Sequence, residues 1–272
     1  MSGPPLVSTA LDRSLGGWGR RVRASWASWW HVLLLGAQVI VLALAPSSYA
    51  QGAQRSAVLQ QIYRASTPLM PGFLTLSALL SLVLIRIVVA TAYSYGLSQY
   101  ALEVLVRTLV LEIIPLYAAM FVALRHTMPE AQRIRRRLSQ QHRSGVQHEQ
   151  QTLLRTELLP RALGGIFSVL LLAAVSCVIA LVLTYFNVYG FSHWALPAYT
   201  LAVGQVFKPA VVLIFSLKTL FFSLSVAIVP LAASARRDEA GGFGRLSDIS
   251  EFARLLSVLL LVEVTSLLGN YY

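Results

Sequence analysis

Six ionisable side chains stand inside long apolar runs of this sequence. Arg86 lies within a run of about 68–93, and Glu103, Arg107 and Glu112 within one of about 99–125. Lys218 lies within 209–232 and Glu263 within 255–270. A charge in hydrocarbon costs a few kcal/mol on insertion scales, so each needs a partner or a task. Glu103 and Arg107 are four apart, the spacing of an ion pair on one helix face. Glu112 is three residues before Pro115. That proline has no N–H, leaves a backbone carbonyl unpaired and kinks its helix, so Glu112 can accept donors beside the break. Two readings stay open. The charges can pair between helices and only fix packing. Alternatively, a cation at depth faces a cavity that holds an anionic headgroup, which suits Arg86 and Lys218 better.

Other reactive chemistry is missing from the sequence. There is no Walker A sequence and no HExxH, CxxC or GxSxG pattern. Ser176 and Ser216 lie in apolar runs without an adjacent base and are expected to bond to helix carbonyls. His31, His126, His142, His148 and His193 show no metal-ligand spacing, and His142 and His148 are read as solvated. The single cysteine, Cys177, has no partner for an intrachain disulfide and reads as a small packed hydrophobe. The expectation is a chain with no catalytic residue, no metal and no cofactor of its own.

The elements that carry these charges follow from composition. Of 272 residues 56% are hydrophobic and 12% charged, about half the charged share of a soluble domain. The apolar residues come in long runs, the pattern of membrane spans. The expected fold is all-α and integral to the membrane, with five transmembrane helices at about 68–93, 99–125, 162–187, 209–232 and 255–270. Residues 1–14 read as a disordered start. Residues 15–50 read as an interfacial or re-entrant amphipathic element, with Arg20, Arg21 and Arg23 among Trp18, Trp26, Trp29 and Trp30. Residues 51–272 form the remaining domain, with a polar cytoplasmic loop at 126–160.

Charge orients the spans. The net charge of +11 comes mostly from arginine. Residues 126–161 hold seven arginines (Arg133, Arg135, Arg136, Arg137, Arg143, Arg155 and Arg161), and 233–254 hold Arg236, Arg237, Arg245 and Arg254. The connections at 94–98 and 188–207 hold none. Basic loops stay in the cytoplasm, which puts the N-terminus inside and the C-terminus outside. The apolar run 32–45 followed by Ser48-Tyr49-Ala50 has the flanks of a signal peptide. Cleavage there, or a full span by 32–45, would invert the chain and expose the arginine-rich loop, so neither is expected. Because the charge is divided among several loops, nucleic acid is not an expected partner.

Several short motifs lie in a telling order. Leu111-Glu112-Ile113-Ile114-Pro115 is followed ten residues after the proline by Arg125. This resembles the Glu-Leu-Gly-Pro motif and downstream Arg of MlaE-type permeases, also called the YrbE family of Mce systems. Pro160-Arg161 resembles the family's Pro-Arg at the start of the next span. Lys218 with Phe222 resembles its Lys-x-x-x-Phe. Gly241-Gly242-Phe243-Gly244-Arg245 resembles its glycine-rich loop, and Leu268-Gly269-Asn270 its ending. The resemblance covers roughly residues 70–272, and an N-terminal interfacial helix is also a family trait. Ile113 and Ile114 stand where the family has Leu-Gly. Arg133, Arg135, Arg136 and Arg137 stand where it has a mostly apolar coupling helix, and Glu263 is a counterpart, in a different register, of an Asp in the last span.

The resemblance implies the permease subunit of an ABC-type lipid transporter in a bacterial inner membrane. It implies a homodimer bound to a pair of cytosolic ATPases, an MCE-domain protein on the outer side, and phospholipid moving through a pocket between protomers. Arg86, Glu112 and Lys218 are then candidates for the lipid pathway. Pro115, Arg125, Pro160, Arg161 and Phe222 are motif positions, and Arg133, Arg135, Arg136 and Arg137 are candidates for coupling to the ATPase. The rival from a different class is a membrane scaffold that transports nothing and binds partners through its arginine-rich loop.

Overall fold

The computed structural model describes residues 29–30, 32–45, 52–143, 157–235 and 245–271. The expectations for residues 1–28, for 46–51, for the loop section 144–156 and for the glycines at 241–244 lie outside the described residues. Among the described residues the structure is helical throughout. The helices are α1 (Val32–Leu44), α2 (Gly52–Ser66), α3 (Met70–Ser94), α4 (Ser98–Leu105), α5 (Ile114–Val122), α6 (Met128–Arg143), α7 (Leu159–Tyr189), α8 (Leu196–Val206), α9 (Pro209–Ala235) and α10 (Arg245–Tyr271). Five stretches are long and apolar enough to cross a membrane: Met70–Ser94, Tyr100–Arg137, Leu159–Tyr189, Pro209–Ser234 and Ile249–Gly269. These are the five spans expected from the sequence.

Proline and glycine mark where helices start and stop. Pro71, Pro160 and Pro197 each occupy the first or second helical position, where a missing N–H costs nothing. Gly190 ends α7 with a φ of 67°, and its N–H bonds back to the Phe186 carbonyl at 3.1 Å. Only glycine adopts that backbone geometry without strain.

The second span differs from the expected helix of 99–125 followed by a polar loop. Helix runs unbroken from Ser98 to Arg143, because π-helical turns at Val106–Ile113 and Ala123–Thr127 join α4, α5 and α6. The helix from Tyr100 to Arg137, 38 residues, is about 57 Å long at 1.5 Å per residue, against a hydrocarbon core of about 30 Å. The helix therefore continues past the bilayer as a stalk. Residues 52–66, ahead of the first expected span, and 196–206, within the expected connection 188–207, are also helical.

Helix α7 is the axis of the bundle, with α2, α3, α5 and α9 packed around it. Small residues permit the close approach, as is common between membrane helices. A Cβ on Gly164 would sit 3.3 Å from Ala65 and Gln61 of α2, and Ser66 and Ser168 join hydroxyls at 3.0 Å. A Cβ on Gly165 would sit 3.0 Å from Thr127. The main core gathers Phe73, Val122, Leu172, Phe222, Leu255 and Leu259 from five helices. Helix α1, described over 13 apolar residues, packs on α9 with Gly36 against Ile228. The outward faces of α3, α9 and α10 expose Leu79, Val83, Leu213, Leu261 and Val264, the surface expected of helices solvated by lipid chains.

Candidate functional site

Three helices bring three of the six charges together. Glu112 comes from the π-helical turn between α4 and α5, Lys218 from the middle of α9, and Glu263 from α10. Lys218 Nζ donates to Glu112 Oε2 and lies 2.9 Å from Glu263 Oε2. The Lys218 side chain is 1% exposed, and those of Glu112 and Glu263 are 10% and 12% exposed. An ammonium at that depth is stable only when paired and hydrogen-bonded.

The backbone explains why the ammonium settles there. In a regular α-helix the N–H of residue 115 would bond to the Leu111 carbonyl. Pro115 has no N–H, and Lys218 Nζ donates to that carbonyl at 3.3 Å. The adjacent Val110 carbonyl accepts from the Cys177 thiol of α7 at 3.7 Å. The π-helical turn thus offers two successive carbonyls to donors from other helices. Such turns recur at functional positions of helices. Phe222, one turn beyond Lys218, is fully buried, with its ring 5.7 Å from the ammonium.

Lys218 is not the lone cation that its own helix suggested, because both carboxylates come from elsewhere in the fold. Arg86 does not join them. It is exposed on the outward face of α3 and has no ion-pair partner among the described residues. It is eight residues from Ser94, so it sits about 12 Å along the helix from that end. Glu103 and Arg107 pair at 3.1 Å on a partly exposed face. Ser216 bonds to the Val212 carbonyl at 2.7 Å as expected, whereas Ser176 Oγ is buried and has no hydrogen-bond partner among the described residues.

The motif arginines gather at the opposite end from Gly96 and Gly190. Arg161 Nε donates to Glu130 at 3.1 Å, and its Nη1 donates to the Glu157 carboxylate and, at 2.8 Å, to the Glu157 carbonyl. Arg133 pairs with Glu130 at 2.6 Å and Arg137 lies 4.0 Å from Glu157. Arg135 pairs with Glu251, which ties the stalk α6 to α10. Arg125 and Arg136 are exposed. Sequence reasoning did not foresee the Arg135–Glu251 and Arg161–Glu130 links, since neither carboxylate stood in a motif. No group of three or more His, Cys, Asp or Glu suited to a metal occurs among the described residues.

A family profile described as permease MlaE matches residues 58–264, from within α2 into α10. No curated protein matches the chain.

Proposed function

The chain belongs to the MlaE permease family, a family of multi-pass membrane transport components rather than enzymes, and from that premise we propose that it carries phospholipid for an ATP-driven transporter. In this reading two copies associate in a bacterial inner membrane. A cytosolic ABC ATPase binds the arginine-rich end, and an MCE-domain protein receives or delivers lipid at the other.

The observation that carries the reading is Arg86. A guanidinium on an apolar, outward helix face, at membrane depth and without a partner among the described residues, calls for an anion such as a lipid headgroup. A phospholipid phosphate supplies that anion. Its acyl chains match Leu79, Leu82, Val83 and Ile87 on the same exposed face. The ion cluster of Lys218 has another role. It is closed to a headgroup and locks α9 and α10 to the proline break of the second span. Motion of the stalk α6, continuous with that span, then reaches the cluster directly.

The test is recovery of the tagged protein in mild detergent, with mass spectrometry of bound proteins and lipids. An ABC ATPase, an MCE-domain protein and phospholipid are expected, with phospholipid reduced by Arg86→Ala. Absence of the ATPase and the MCE-domain protein, with bound lipid indifferent to Arg86→Ala, would leave the scaffold reading in place.

A further inference from the structure

At the arginine-rich end, α2, the turn into α3, the stalk α6 and the start of α7 enclose a cavity of about 330 Å³. That volume is at the small end of ligand sites. Its wall carries Arg64, Arg125, Arg133, Arg137 and Arg161, but only one carboxylate, Glu130. Glu130 is already bonded to Arg133 and Arg161. Arg137 is held by Glu157 only at 4.0 Å. Arg64 and Arg125 have no ion-pair partner among the described residues. His126 also lines the cavity; it is 9% exposed, and its buried Nε2 has no hydrogen-bond partner among the described residues.

Glu130 and Glu157 compensate Arg133, Arg161 and, more distantly, Arg137, so the cavity keeps an excess of positive charge at Arg64 and Arg125 that an anion would join. Their planar forks match phosphate oxygens in pairs, and a buried imidazole nitrogen adds a further polar contact. Depth indicates where the phosphate comes from. Pro68 and Leu69 form part of the wall and immediately precede the first span, so the cavity lies where a bilayer's headgroups begin. Basic pockets between membrane helices at this level suit anionic headgroups.

We propose that this cavity binds a phosphate-bearing anion, namely the headgroup of an anionic phospholipid in the leaflet at the arginine-rich end. The site is distinct from Arg86, which lies toward the other end of α3. Occupation ties α2 and the stalk α6 to the bundle through Arg64, Arg125 and Arg137. Lipid composition of that leaflet thereby sets how firmly the stalk is held.

The test uses the full chain carrying Arg86→Gln, so that lipid held at Arg86 does not contribute. The protein is exchanged into micelles with equimolar phosphatidylcholine and phosphatidylglycerol, and retained lipid is counted by native mass spectrometry. Selective retention of phosphatidylglycerol is expected. Its apparent Kd should rise about tenfold in Arg64→Gln/Arg125→Gln, the scale of losing one or two charge-assisted hydrogen bonds. A smaller rise is expected in Arg64→Gln alone, an exposed change that leaves folding intact. Inorganic phosphate distinguishes the sources. If it raises the melting temperature and displaces the lipid, and both effects need Arg64 and Arg125, the cavity takes free phosphate as well. If it does neither, the lipid headgroup is the ligand. The proposal is overturned if folded Arg64→Gln and Arg64→Gln/Arg125→Gln keep the same lipid selectivity and the same response to phosphate. That outcome leaves the Arg86 reading untouched, since lipid loss on Arg86→Ala is measured with Arg64 and Arg125 in place.

Discussion

Replacing Lys218 with methionine removes the one cation between Glu112 and Glu263. Methionine has similar length and suits the surrounding apolar helices, so the perturbation is one of charge. In the native fold the ammonium touches Glu112 Oε2, Glu263 Oε2 and the Leu111 carbonyl, with 1% of its side chain exposed. Its loss leaves two carboxylates buried against each other and a carbonyl without its donor. Breaking a buried pair from one side costs about 3–5 kcal/mol. At roughly 2–4 °C per kcal/mol for a chain of this size, the melting temperature should fall by roughly 6–20 °C. The assay is thermal unfolding of purified protein in one detergent, followed by tryptophan fluorescence. The triple change Glu112→Gln/Lys218→Met/Glu263→Gln should recover most of the loss, because no uncompensated charge remains. A melting temperature within a degree of the native value for Lys218→Met, or a triple variant no better than the single one, would refute the claim that these three groups stabilise one another.

Gly165→Val should cost about 1–3 kcal/mol in the same assay, since its Cβ would meet Thr127 at 3.0 Å, whereas Gly72→Ala has open space around it and should be tolerated. Arg135→Ala should uncouple α6 from α10 by removing the Glu251 pair, and faster proteolysis within 128–143 is the expected readout. The Tyr199 hydroxyl donates to the Leu181 carbonyl at 2.8 Å, and burial, with the Tyr189 phenol adding to it, pushes its pKa up to about 12. The fold favours the neutral phenol, so its contribution is intact below pH 10 and lost as pH rises through about 12. Tyr199→Phe should therefore flatten the alkaline side of the stability profile, measured by denaturant unfolding between pH 9 and pH 12.

Much of the fold was legible because bilayer thickness and apolar run length constrain each other. What was missed lay in polar segments. Residues 128–143 carry Arg, Gln and Glu at a density that reads as loop, yet Ala131 and Ile134 are buried three apart on one helix face. In α2 the corresponding signal is Val58 and Ala65, seven apart and both buried. One or two apolar residues per turn are weak evidence in isolation. They become a helix only when a groove, such as that beside Gly164 and Gly165 of α7, receives them.

Five spans, the prolines at helix starts, the concentration of arginine at one end and the family were readable without coordinates, because they depend on composition and spacing along one chain. So was the freeing of a carbonyl by Pro115, which is a property of a single ring. Which charge meets which depended on the packed fold. Glu112 and Lys218 are 106 residues apart, and Glu263 comes from a third helix. The rotation that turns them toward each other, and turns Arg86 outward, is set by how the helices pack on one another. No periodicity within one helix encodes the angle at which its neighbour arrives.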